Sequence, residues 1–97
     1  MKKIILKDDA EKELQEAFFW YMRKDRNIAL DFFNEVVNAV EKIANSPKAW
    51  PAMGRRHRKF LLEKFPYNIF YREENDFIII DAIAHQKRKP GYWRFRK

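Results

Sequence analysis

His85 is followed within four residues by Lys87, Arg88 and Lys89, and then by Tyr92 and Trp93. An imidazole among cations and aromatic rings has two chemical uses. As a proton carrier, His85 can act as general base or acid near neutral pH. With Arg88 and Arg72 (or Arg58) to offset charge on a phosphorane, and Tyr92 as an acid or a stacking ring, metal-free RNA cleavage has its parts. As a contact surface, the same groups suit phosphates or an acidic protein, with Tyr92 and Trp93 as stacking or anchoring rings. A second basic run, Arg55, Arg56, Arg58 and Lys59, would extend that surface if it folds beside the first. His57, set among these arginines, reads as a surface residue.

No other chemistry is spelled out. The chain has no cysteine, and its only glycines are Gly54 and Gly91, so a thiol nucleophile and a glycine-rich phosphate loop are excluded. Two histidines and no paired-carboxylate motif give no metal site, and no cofactor is expected. No apolar run is long enough for a membrane span. Absence of disulfides fits a reducing cytoplasm, where the protein is expected to reside. The formal charge is +7, unevenly divided. Residues 1–46 carry 8 Lys/Arg against 9 Asp/Glu, and residues 47–97 carry 13 against 5, so a net −1 segment precedes a net +8 segment. That asymmetry predicts a polarised surface.

The elements that must position these groups follow from periodicity. Ninety-seven residues with 46% hydrophobic content suit one small domain spanning residues 1–97. Residues 3–7 have room for a short strand. Asp8, three residues before Glu11, suits a helix cap. Ala10, Leu14, Ala17, Phe18 and Tyr21 then form one apolar helical face. Asn27 is placed to cap a second helix, whose core positions are Ala29, Phe32, Phe33, Val36, Val37, Val40, Ile43 and Ala44. Asn45-Ser46-Pro47 closes it. Residues 48–59 read as a loop pinned by Trp50 and Met53. Strands are expected over 59–65, 67–73 and 77–84, with a hairpin turn at 73–76. In the middle strand Tyr67, Ile69 and Tyr71 share one face, and Asn68, Phe70 and Arg72 the other. Asp81 interrupts the apolar run 77–84 and needs a cation on a neighbouring strand. Pro90-Gly91 should fold Tyr92 and Trp93 back onto the domain. The order β-α-α-β-β-β predicts an α+β fold, a small and largely antiparallel sheet packed against an N-terminal helical hairpin.

In this order, several segments resemble the RelE/ParE superfamily of toxins from type II toxin–antitoxin modules, which includes plasmid stabilisation proteins. They are the opening strand and helical hairpin, Asn45-Ser46-Pro47, Tyr67-Asn68-Ile69-Phe70-Tyr71-Arg72, and the run 77–84 followed by His85-Gln86-Lys87-Arg88-Lys89-Pro90-Gly91-Tyr92-Trp93. The resemblance implies neutralisation by a cognate antitoxin with an acidic tail. It implies one of two targets. RelE-like members are similar to ribosome-dependent mRNA endonucleases, and ParE-like members to non-enzymatic inhibitors of DNA gyrase. Nuclease members often carry an arginine just before the hydrophobic pair of the middle strand, a position that matches Asn68 here. His85 aligns with a histidine at the last strand's end in ParE-like sequences. The expectation is therefore a ParE-like gyrase inhibitor. Its target or antitoxin contacts would be Arg55, Arg56, Arg58, Lys59, His85, Lys87, Arg88, Tyr92 and Trp93. The alternatives are an endoribonuclease acting on mRNA at the ribosome, or a small basic RNA-binding domain.

Overall fold

The structure, a computed structural model, describes every residue except Met1, Pro90, Phe95 and Lys97. Strand β1 (Lys3–Leu6) leads directly into helix α1 (Asp8–Lys24). The cap expected at Asp8 is not made: Lys7 holds the cap position, and Asp8 already lies in the first turn. Asp8, Asp9 and Glu11 instead place negative charge beside the free N–H groups of that turn. Helix α2 (Arg26–Asn45) starts one residue after α1 ends. That residue, Asp25, has extended backbone and serves both helices. Its N–H donates to the Tyr21 carbonyl at 2.8 Å, and its carboxylate accepts from the Asn27 N–H at 2.8 Å. Asp25, not Asn27, is thus the cap, because the turn between the helices has shrunk to a single residue.

One stripe of each helix meets the sheet. Ala10 and Ala17 of α1 are buried, as are Ala29, Phe32, Val36, Ala39, Ile43 and Ala44 of α2. Phe33 and Val37, expected in the core, remain about two-fifths exposed. Phe32, Val36, Ala39 and Ile43 already fill the inward stripe, and the next residue along a helix points about 100° away. Past Asn45 the chain turns at Pro47, whose carbonyl accepts from the Tyr71 hydroxyl at 2.6 Å.

The sheet contains β1, β2 (Ala52–Met53), β3 (His57–Leu61), β4 (Tyr67–Glu74) and β5 (Phe77–His85) in the order β1-β5-β4-β3-β2. Only β1 and β5 run parallel. The fold is the expected α+β arrangement, with one strand more than the sequence suggested. The segment read as a loop contains β2 and the start of β3, joined through Gly54 in the left-handed region (φ 72°) and tied by the Lys59 N–H to the Pro51 carbonyl at 2.9 Å. The strand expected over 59–65 accordingly sits earlier. Beyond it, the Glu35 carboxylate on α2 accepts from the backbone N–H groups of Glu63 and Lys64. The β4–β5 turn carries Asn75 at φ 53°.

Both faces of the sheet are covered. Towards the helices, Ile69, Tyr71, Ile78, Ile80 and Ile83 join Phe32, Val36 and Ile43. The outer face holds Phe70, Ala82 and Ala84, covered by Trp93, with Met53 and Tyr92 at its margins. One irregularity lets β5 serve both layers. Phe70 pairs with Ala82 but Tyr71 with Ile80, leaving Asp81 as an extra residue. This bulge switches the alternation, so Ile80 before it and Ile83 after it both face the helices.

Candidate functional site

The C-terminal end of β5 opens into a cavity of about 620 Å³ between the sheet and α1, lined among others by Trp20, Tyr21, Tyr67, His85, Arg88 and Tyr92. His85 Nδ1 accepts from the Lys87 N–H at 3.1 Å, which leaves the proton of a neutral ring on Nε2 as a free donor. The imidazole meets the edge of Tyr67 at 5.1 Å. Two backbone bonds fix this corner: the Gln86 N–H to the Pro66 carbonyl at 2.8 Å, and the Arg88 N–H to the His85 carbonyl at 3.0 Å. The Arg88 guanidinium lies 3.8 Å from the centre of the Tyr92 ring. Burial pushes the phenols of Tyr21 and Tyr67 above their ordinary range. Tyr92 is raised further, by burial and by donating its hydroxyl to the Glu13 carboxylate, so it is a weak acid.

Glu13 organises the region behind the cavity. β1 ends at Leu6, with the Lys7 N–H still bonded to the Ile80 carbonyl, and beyond that point β5 has lost its neighbour on this side. The Glu13 carboxylate takes the Ile83 N–H at 3.1 Å, in place of the missing strand. It also accepts from the Arg96 guanidinium at 2.9 Å, and the same guanidinium donates to the Asp81 carbonyl at 2.8 Å. Burial alone would lower the Arg96 pKa, but the bond and charge of Glu13 outweigh it and hold it above the usual range.

Asp81 is 1% exposed and has found its cation. One carboxylate oxygen accepts from Arg72 Nε at 2.7 Å and lies 2.7 Å from His57 Nε2. Arg72 also donates to Glu74. Burial opposes the charge on Arg72, and Asp81 and Glu74 together overcome that and raise its pKa. His57 is therefore not the surface residue the sequence suggested. The β3–β4 register sets it opposite Arg72, and its ring packs 4.4 Å from Trp93. Trp93 in turn stacks on Phe70 at 4.5 Å.

The expected site residues thus divide into two groups. His85, Arg88 and Tyr92 meet at the cavity, and Lys87 is exposed beside them. Arg55, Arg56, Arg58 and Arg72 border a separate cleft at the other end of the strands. His57 pairs with Arg72 and His85 with Tyr67, so the groups are five β4 residues apart, roughly 17 Å at strand rise. Trp93 is core, and of the turn expected at Pro90-Gly91 only the second residue is described. Gly91 (φ 83°) opens a turn closed by the Arg94 N–H at 3.0 Å. Glu13 and Arg96 gave no signal in the sequence, since charges on a helix and in a basic tail usually face water.

The comparisons with known proteins agree with this architecture. The family model described as "ParE toxin of type II toxin-antitoxin system, parDE" matches residues 4–90. A protein of Mycobacterium tuberculosis named Toxin ParE2 is 28% identical over 91 residues, covering 93% of this chain and 87% of its own. A solved structure titled "Chromosomal ParDE TA system from P. aeruginosa" superposes with a TM-score of 0.74 at 21% identity, covering 88% of this chain and 96% of that one, and so shares the fold. With nearly the whole length matched by the family model, the chain belongs to the ParE toxin family of type II toxin–antitoxin systems.

Proposed function

We propose that this toxin inhibits DNA gyrase by binding, without cutting a substrate, and that a cognate antitoxin with an acidic tail neutralises it. The observation that carries this reading is the state of the candidate catalytic groups. Arg72 is buried and held by two carboxylates at the far end of the strands. Tyr92 is held as a donor to Glu13. Asn68, where nuclease relatives often carry arginine, bears an amide whose oxygen lies 3.4 Å from the Gln86 side chain. His85 and Arg88 remain as contact groups without an assembled acid–base pair. One observation favours the alternative, mRNA cleavage on the ribosome: His85, Arg88 and Tyr92 do share a cavity with aromatic walls.

The two readings separate in one comparison. Purified toxin should block supercoiling or trap cleaved DNA when gyrase and plasmid are present, and should leave ribosome-bound mRNA intact. Replacing Lys87 and Arg88 by alanine should weaken gyrase inhibition or antitoxin binding by tenfold or more with an unchanged fold, since each lost charged contact at a desolvated interface costs on the order of 1.4 kcal/mol or more. Undisturbed gyrase together with mRNA cuts would assign the protein to the nuclease branch.

A further inference from the structure

The basic cleft around β2 and β3 lies apart from the cavity that carries that reading, and its chemistry differs from that of the cavity. The turn after β2 contributes Arg55 and Arg56, both exposed, and β3 adds Arg58 and Lys59. The cleft, about 290 Å³, is lined by Arg55, Arg56, His57, Arg58, Tyr71 and Arg72, among others. Its acidic neighbours are already paired. Glu73 binds Lys2 at 2.8 Å, Asp81 is held by Arg72 and His57, and Glu74 is shared between Arg56 and Arg72. Arg55 and Lys59 form no ion pair with a described residue. These two side chains therefore carry positive charge that no described carboxylate offsets, while Arg56 is held by Glu74 and the Arg58 guanidinium donates to the Trp50 carbonyl at 2.7 Å.

We propose that Arg55, Arg56 and Lys59 contact the phosphodiester backbone of duplex DNA. Three features choose this ligand over other polyanions. A protein partner needs apolar anchors, and the large exposed apolar side chains lie on α1, α2 and β1, or at Leu61 and Phe77, none of them on this turn. A single strand needs exposed rings to stack on. The rings here are turned inward: Trp50 packs on Phe60 at 4.5 Å, and buried Tyr71 bonds Pro47. What remains is a polar, arginine-rich sheet edge, suited to bidentate contact with phosphates. Because β2 is only two residues long and ends a five-stranded sheet, this turn meets phosphates and does not enter a groove as a ribbon; duplex RNA, which offers the same phosphates in A-form geometry, is the competitor in the test.

Glu74 then acts as a competitor, holding Arg56 at 2.6 Å in the free protein. The test is fluorescence anisotropy of the full chain, without gyrase, on a labelled mixed-sequence DNA duplex over a range of KCl concentrations. Binding should weaken with salt at a log–log slope of about −2 to −4, from about −0.9 per phosphate contacted. Arg55→Ala with Arg56→Ala should reduce the slope by about 2 on the same scale. Glu74→Gln should tighten binding several-fold, which a purely structural role for the arginines would not produce. The idea is overturned by any of three results: no binding at low salt, weakening by Lys87→Ala with Arg88→Ala but not by the hairpin pair, or equal competition by duplex RNA or a poly-glutamate peptide. The assay contains no gyrase, so its failure leaves the gyrase reading intact, and the reverse holds.

Discussion

A carboxylate between Ile80 and Ala82 in the most apolar strand is destabilising unless cations reach it. Arg72 does so from the adjacent strand β4, His57 adds a contact from β3 beyond it, and the bulge turns Asp81 outward to meet them. Replacing Asp81 by alanine would strand the buried Arg72 guanidinium with Glu74 alone. A loss of about 3–5 kcal/mol is expected, the range for breaking a buried pair. Urea denaturation measures it, and a change below about 1 kcal/mol would mean that Glu74 compensates fully. The sequence announced the need for a partner at Asp81 but not its identity. Three arginines and a histidine within 55–58, and Arg72 beyond, were equal candidates until strand register chose.

At the scale of elements, the short β1 has a consequence. Four residues cannot cover a nine-residue neighbour, so half of one β5 edge would lie unpaired. Glu13 from α1 closes that edge and at the same time receives Tyr92 and Arg96 from the C-terminal segment. Sheet edge, first helix and tail are thereby joined through one carboxylate. Glu13→Ala should cost about 2–3 kcal/mol, the worth of hydrogen bonds to a charged group. It should also speed hydrogen exchange at the Ile83 amide. Lower stability with unchanged exchange at Ile83 would place the effect in the tail instead. The helical faces show the same lesson from the other side. Phe33 and Val37 have the spacing of core residues, yet the sheet accepts only the stripe through Phe32 and Val36.

For the whole molecule, buried aromatic groups and surface charge give separate expectations. All four tyrosines are raised above 10.0, Tyr71 to about 12, chiefly by burial. Unfolded phenols ionise near 10.0 and folded ones later, so the unfolded state binds fewer protons in this window and stability must fall as pH rises. Stability should be level with respect to these groups below about pH 10 and decline towards pH 12. Phenolate absorbance should then rise together with loss of far-ultraviolet circular dichroism. A phenolate transition centred near pH 10 in a chain that stays folded would refute the burial argument. Surface charge sorts differently: exposed apolar groups gather on the helices, while the basic residues of the second half occupy two ends of the sheet.

The sequence by itself determined the order of every element but β2, the two amphipathic helices, the apolar β5 and the polarity of charge, because these depend on local periodicity and composition. It also carried the family resemblance through residues 67–72 and 85–93. The tertiary structure decided what those elements do to one another. Register separated the two basic clusters, the bulge placed Asp81, the vacated β5 edge recruited Glu13, and the outer face of the sheet took Trp93 and His57 out of solvent. Each of these depends on contacts between residues far apart in the chain, which spacing along one segment does not encode.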